Sequence, residues 1–231
     1  MHSGDLGERL GIDRAFELNA GEAASENLPA GVARPPGKRI ELAEIVLVHS
    51  ERDDALATAA SKFRDAPEVE QVVICSPDKD LCQCVRGNDV VTLDRRREIV
   101  LDAEGVRDKF GVSPESIPDY LALVGDTADG ISGIARWGAK SAATVLRKLV
   151  HLEHIADDSK EWGVKVRGGT TLAKNLREQR EDAILYRKLA TLRTDVPIHE
   201  SLEEFRWKGA DRPALEALCE ELGERALLDR I

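Results

Sequence analysis

The chain is short of aromatic residues, with three tryptophans, two tyrosines and four phenylalanines, and it has no long apolar run. No stretch approaches the ~18 consecutive apolar residues of a membrane span. The opening MHSGDLGERL lacks the basic-then-apolar plan of a signal peptide, so a globular, soluble, cytoplasmic chain is expected. Cysteine is also sparse: Cys75, Cys82, Cys84 and Cys219 form no CxxC pair, and Cys82-Gln83-Cys84 has no second half for a zinc site. They read as reduced, partly buried thiols. Basic residues are outnumbered, 33 Lys and Arg against 43 Asp and Glu, for a formal net charge of −10. That balance argues against a generally basic nucleic-acid coat. It leaves room for nucleic acid, because acids gathered around divalent cations are neutralised there while local basic patches meet phosphates.

What is present is enough apolar material, 42% of 231 residues, for one sizeable core and a smaller helical extension. The chain is organised around Val72 to Leu81, VVICSPDKDL, an apolar strand running into two acids one residue apart. Glu51-Arg52-Asp53-Asp54 lies before it and Gly125-Asp126-Thr127-Ala128-Asp129-Gly130 after it, each where an apolar segment meets a turn or helix.

Residues 1–40 recur in Gly, Ala, Asn and Pro and have poor apolar periodicity, apart from a possible turn of helix around Asp13 to Leu18; a loosely ordered segment is expected. Ile45 to Val48 reads as a short buried strand of a parallel sheet, and Glu51 to Phe63 as a helix with its acids at the positive end of the dipole. With Val72 to Cys75 these make a βαβ crossover. A short helix follows Asp80, and Val90 to Leu93 with Ile99 to Leu101 reads as a β-hairpin. Ala103 to Phe110 is helical, and Ser113-Pro114 starts a helix over Glu115 to Val124 that delivers Asp126 and Asp129. Gly133 to Ala142 is a glycine-containing connection before a helix N-terminus, an arrangement whose outward N–H groups suit a phosphate. Helices are expected over Thr170 to Gln179, Glu181 to Thr191 and Ala214 to Leu228. The basic residues between Lys165 and Arg193 alternate with acids, which favours a solvated face.

Hard cations such as Mg²⁺ prefer carboxylate oxygens, and two of them about 3.5–4 Å apart clamp the oxygens of a phosphodiester displacement. Acids that follow separate strands converge on one rim of an α/β sheet. Glu51, Asp53 and Asp54 lie beyond IVLV and Asp78 and Asp80 beyond VVIC, so a shared site with Asp126 and Asp129 is expected. The bland alternative is real, since exposed acids are common here and acids stabilise helix starts with or without a metal.

At these residues the chain resembles the 5′-nuclease family, which includes the 5′-3′ exonuclease domain of bacterial DNA polymerase I and the flap endonucleases. The resemblance rests on Glu51-Arg52-Asp53-Asp54, Ser76 to Leu81, Lys109-Phe110-Gly111-Val112, Asp119 to Asp129, Gly138-Ala139-Lys140-Ser141-Ala142 and Leu189 to Pro197, and it runs over roughly residues 42 to 200. It implies that Glu51, Asp53 and Asp54 bind one metal, that Asp78 and Asp80 reach the metals as catalytic acids, and that Asp126 and Asp129 hold the second metal. It implies a helix-hairpin-helix in which Gly133, Arg136, Gly138, Lys140 and Ser141 grip duplex DNA, with K⁺ bound there. The activity implied is 5′-3′ exonuclease or flap cleavage with Mg²⁺ or Mn²⁺, in DNA replication and repair, by a monomer with no membrane partner.

The family opens with a strand carrying an aspartate ligand, a second acid-bearing strand and a basic arch. Residues 1–40 hold nothing of that kind, since neither Asp5 nor Asp13 follows an apolar strand. The fold expected is an incomplete α/β 5′-nuclease (PIN-like) with a parallel sheet, a helix-hairpin-helix and a helical C-terminal region. Its parts are a poorly ordered or divergent segment 1–40, a nuclease core 41–130, a DNA-binding region 131–200 and an extension 201–231. Arg52 stands where alanine is usual, Gly130 where asparagine is common and Arg136 where the hairpin has glycine. If the last position needs positive φ, arginine costs about 1 kcal/mol or more. Two other readings stay open: a DNA-binding relative with a crippled metal site, and an acidic α/β module that binds a protein partner.

Overall fold

The structure, a computed structural model of the chain, describes residues 16–17, 45–46, 52–206, 209–223 and 228. Most of the expected 1–40 segment, residues 47–48 of the first strand and Glu51 lie outside these. Residues 52–198 fall in one compact unit. The pairs at 16–17 and 45–46 and the described residues from His199 onward fall in another.

In that second unit β1 (Phe16–Glu17) pairs antiparallel with β2 (Ile45–Val46). This corrects two expectations. Phe16–Glu17 is extended where a turn of helix was expected, and Ile45–Val46 belongs to this two-stranded sheet, not to a βαβ unit with the next strand. A short apolar run specifies an extended segment without specifying its neighbour.

The main unit opens with α1 (Arg52–Phe63), rich in alanine, with Asp53 and Asp54 in its first turn and Lys62 in its last, as the dipole favours. A mixed sheet follows in the order β3 (Val72–Ile74), β4 (Val90–Asp94), β5 (Ile99–Leu101). β3 and β4 are parallel, Val72 opposite Val90, while β4 and β5 form the expected hairpin, Thr92 opposite Leu101. The sheet is therefore mixed where a parallel one was expected. The parallel crossover lies one step later than expected, in residues 75–89, and its turn is the 3₁₀ helix Asp80–Cys84.

α2 (Ala103–Phe110) is capped by Asp102, which accepts from the Gly105 N–H, and ends at Gly111 in the left-handed region. A 3₁₀ turn over Pro114–Ser116 leads into α3 (Ile117–Val124), whose residues are almost all buried, as a helix apolar on every side must be. The main core gathers around α3, from Cys82 through Leu121, Leu123 and Leu146 to Ala183 and Ala190, so it runs without a break through residue 130. α4 (Ala139–Leu149), α5 (Gly169–Glu178) and α6 (Arg180–Ala190) complete this unit.

In the other unit α7 (Leu202–Phe205) precedes α8 (Arg212–Leu222), which ends at Gly223, φ +69°, and not at Leu228 as expected. A left-handed glycine closes a helix whatever apolar residues follow it. Among the described residues no helix is long and apolar enough to cross a membrane. No disulfide joins the four cysteines, and burial pushes the Cys84 thiol up to about 12, so it stays protonated.

Candidate metal centre and nucleic-acid interface

The end of β3 leads into two nested turns. Ser76 Oγ accepts from the Asp78 N–H at 3.2 Å, and Asp78 Oδ1 accepts from the Asp80 N–H at 3.0 Å. Short polar side chains readily close such local bonds. They place Asp80 at the first residue of the 3₁₀ helix with only 9% of its surface exposed, while Asp78 stays exposed.

A second loop faces it from the end of α3. Gly125, φ +90°, closes the helix by donating to Leu121 O. Asp126 and Ile131 then exchange backbone hydrogen bonds, each at 2.7 Å, around the turn that carries Asp129. Asp126 Oδ1 accepts from the Ala128 N–H at 3.1 Å. Each of Asp80, Asp126 and Asp129 thus offers one carboxylate oxygen to a group in which these atoms lie within 4.8 Å of one another.

Lys79 reaches across, with Nζ 2.5 Å from Asp126 Oδ2. Burial alone would raise the Asp126 carboxyl, but the hydrogen bond from Lys79 and the Ala128 N–H hold it below the usual range. Burial likewise works against a charged Lys79, and the Asp126 partner holds its ammonium above its ordinary value. Among the described residues no cation is bonded to Asp80, although the Lys79 charge lies in electrostatic reach of it. Burial first, then the charges of Asp78 and Asp129, push its carboxyl up to about 7, and its Oδ1 is buried without a hydrogen-bond partner. Asp53, in the first turn of α1, is raised by burial and by Asp78, with Asp129 and Asp54 adding to it against Arg52.

Of the expected acids, the structure brings Asp80, Asp126 and Asp129 together, with Asp53 and Asp78 in electrostatic reach. Asp54 is turned elsewhere: its Oδ1 accepts from the Arg193 N–H at 2.8 Å. Glu51 lies outside the described residues. The donor set fits a hard divalent cation. It is all carboxylate oxygen, Asp80 Oδ1 is buried and unpartnered, Asp126 Oδ2 is buried with the Lys79 ammonium against it, and the spread is close to the ~4.2 Å between opposite oxygens around Mg²⁺. A cavity of about 190 Å³ opens beside Asp78, with Thr92, Arg97 and Lys109 among its lining residues.

The connection to α4 begins where the acidic loop ends. Gly133, φ +71°, is buried against Val124 and Gly125 and so sets the shape of the loop without presenting a surface. Arg136 is exposed with φ 73°, the left-handed conformation for which glycine is suited. Gly138 is the N-cap of α4, and Ser141 Oγ both accepts from its N–H and donates to its carbonyl, so this hydroxyl closes the helix start. Lys140 is exposed in the first turn.

Supports that the sequence did not single out hold this loop from behind. The Ala135 N–H donates to Gln179 Oε1 at 3.1 Å and Asn175 Nδ2 donates to Ala135 O at 2.7 Å. Trp137 donates from Nε1 to Leu172 O at 3.1 Å, its ring 5.6 Å from that of Trp162. A tryptophan between two hairpin glycines was the one visible signal. Replacing Arg136 by glycine is expected to stabilise the chain by about 1 kcal/mol by relieving the left-handed strain. Urea unfolding of the two proteins reads the difference directly.

Comparison with known proteins bears on the same residues. The family described as 5′-3′ exonuclease, C-terminal SAM fold, matches residues 112–213. The chain is 38% identical over 181 residues to a 5′-3′ exonuclease of Aquifex aeolicus, covering 78% of this chain and 58% of that one. It is 35% identical over 190 residues to DNA polymerase I of Bacillus caldotenax, covering 80% of this chain and 21% of the polymerase. The chain therefore spans under two thirds of each of these relatives. Among solved structures, a bacteriophage T5 flap endonuclease in a complex with DNA and metal ions aligns over 73% of this chain and 60% of its own, at TM-score 0.52 and 18% identity. That likeness shows the 5′-nuclease fold.

Proposed function

Because the 5′-3′ exonuclease family model matches residues 112–213, and similarity to a 5′-3′ exonuclease covers 78% of the chain, we propose that this protein is a metal-dependent 5′-3′ exonuclease or flap-type endonuclease acting on DNA phosphodiesters. The observation that carries the reading is the meeting of Asp80, Asp126 and Asp129 around a buried, unpartnered Asp80 oxygen. Those three acids would hold Mg²⁺ or Mn²⁺, with Asp53 and Asp78 beside them and Glu51 added from the sequence pattern; two ions are part of the proposal. The bound metal supplies charge neutralisation at the phosphate and a hydroxide at neutral pH.

The chain's own groups do the rest. Asp78 fixes the start of the Asp80 turn through its bond to the Asp80 N–H. Lys79 neutralises Asp126 in the absence of metal and is placed to meet phosphate oxygen when released from it. The exposed N-terminus of α4, with Lys140 in its first turn and Arg136 and Gly138 just before it, meets the duplex backbone. Gly133 and Ser141 hold that loop and helix start in shape, and K⁺ at the hairpin, a monomeric state and a cytoplasmic location belong to the same proposal.

The test is cleavage of a 5′-labelled flap duplex with Mg²⁺ or Mn²⁺, wild type against the Asp78→Asn, Asp80→Asn double variant. Product from the wild type alone is expected; no product from either sinks the nuclease reading. A second reading, duplex binding without cleavage, is favoured by the Lys79 ammonium that already stands against Asp126 Oδ2 at 2.5 Å, where a metal would bind. Fluorescence anisotropy on the same duplex separates the two. In that assay Arg136→Gly should lower the salt slope of binding by about 0.9, the loss of one phosphate contact.

A further inference from the structure

Gln83 sits between the acidic centre and the helices behind the hairpin, and it is bound at both ends of its amide. Its Nε2 donates to Asp80 O at 2.9 Å and to Ala190 O at 3.0 Å, while its Oε1 accepts from the Leu192 N–H at 3.0 Å. Ala190 is the last residue of α6. Gln179, which braces Ala135 of the hairpin loop, directly precedes the first residue of the same helix. An α-helix of this kind is rigid, ~1.5 Å per residue. So α6 is a strut with one end on the hairpin and the other on the Gln83 amide, which also donates to the carbonyl of a candidate metal ligand.

The segment beyond Ala190 is tied down as well. Asp54, Thr58 and Lys62 recur every fourth residue and so share one face of α1. Asp54 accepts from the Arg193 N–H at 2.8 Å, Thr58 Oγ1 accepts from the Val196 N–H at 3.2 Å, and Lys62 donates to Ile198 O at 2.9 Å. Leu192 packs on the small apolar cluster of Ala60, Ile74, Leu81 and Val90. Of these bonds, those of the Gln83 amide are the ones that reach Asp80, whose Oδ1 is buried and unpartnered.

We propose that Gln83 is a positioning residue: by joining Asp80 to the end of α6 it holds the acidic centre in register with the duplex-facing hairpin. The proposal rests on the nuclease reading above. Groups that orient metal ligands from behind typically change metal affinity or activity by about 10–100-fold when removed.

The experiment is Mn²⁺ titration by calorimetry on the full chain, well below the unfolding temperature of each variant, alongside anisotropy with a duplex. Gln83→Met keeps the volume and removes all three bonds; Gln83→Asn keeps the amide and shortens its reach. The expected result is a Mn²⁺ Kd at least 10-fold weaker for Gln83→Met, several-fold weaker for Gln83→Asn, and duplex Kd within two-fold of wild type. A lowered melting temperature with unchanged Mn²⁺ Kd in either folded variant makes Gln83 a structural residue only and overturns the proposal. Absence of Mn²⁺ binding by the wild type is a different failure: it removes the metal reading itself and this proposal with it.

Discussion

Replacing Asp80 by asparagine is expected to raise the melting temperature of the metal-free protein at pH 8, abolish its stabilisation by Mn²⁺ and lower any flap cleavage by on the order of 10³-fold. The first effect follows from the wild type's own electrostatics. Burial, with Asp78 and Asp129 adding their charges, lifts the folded Asp80 carboxyl from 3.8 to about 7. Between those two values the fold holds a proton that the unfolded chain has lost. The stability this group contributes is therefore fully present below 3.8 and is lost as pH rises through about 7. At pH 8 the metal-free fold carries an unpaired buried carboxylate, a cost of a few kcal/mol at most.

Asparagine removes that charge, and its amide can donate to a neighbouring carboxylate. Mn²⁺ inverts the order: it needs the ionised form, so the wild type gains stability with metal and pH while Asp80→Asn gains neither. Thermal unfolding at pH 5 and pH 8, with chelator and with Mn²⁺, gives four conditions for each protein. A variant less stable than wild type in chelator at pH 8, with an equal shift in Mn²⁺, would show that Asp80 is not a ligand and that its buried carboxylate is compensated in some other way.

What the sequence made legible was the placement of acids relative to apolar segments. Asp80 follows β3 and Asp126 follows α3, because the ends of buried elements are fixed by where their apolar residues stop. The β4–β5 hairpin and the bounds of α2 were legible for the same reason, the latter helped by Asp102 and Gly111 as caps. Partner choice was not legible. Ile45–Val46 reads as a strand in any sheet, and nothing local says that its neighbour is Phe16–Glu17. Asp53 and Asp54 are indistinguishable in composition, yet one lies under the influence of Asp78 and Asp129 while the other is held by the Arg193 backbone. Helical geometry points adjacent residues about 100° apart, and only the packing of α1 decides which direction meets the acids. Lys79 was likewise visible only as the residue between two acids, although it supplies the cation paired with Asp126.

The glycines of the hairpin show the same limit and carry a large expected effect. Gly133 and Gly138 enter the family resemblance as equals, but alanine at Gly133 is expected to cost about 2–5 kcal/mol and at Gly138, an N-cap, no more than about 1 kcal/mol. At Gly133 the backbone has φ +71°, and an added Cβ would lie 2.6 Å from both Gly125 N and Val124 C. Those are backbone atoms that no rotamer change can move away, so the strain of a left-handed alanine adds to a forced separation of the two loops. At Gly138 the backbone is extended, φ −123°, and nothing lies within 4 Å of an added Cβ.

The consequence at Gly133 reaches the acids, because Gly125 immediately precedes Asp126, whose N–H and carbonyl are both bonded to Ile131. Pushing Gly133 away from Gly125 shifts the turn that holds Asp126 and Asp129 against Asp80, so Gly133→Ala should lose part of its Mn²⁺ stabilisation as well as its melting temperature. For a chain of this size each kcal/mol moves the melting temperature by about 2–4 °C, which puts the expected drop on the order of 10 °C. Melting curves of Gly133→Ala and Gly138→Ala, with and without Mn²⁺, decide it. Equal melting temperatures for the two variants would mean that the acidic loop and the hairpin are not pressed together at Gly125 and Gly133. A drop with an undiminished Mn²⁺ shift would mean that Asp126 keeps its place by the Ile131 bonds alone.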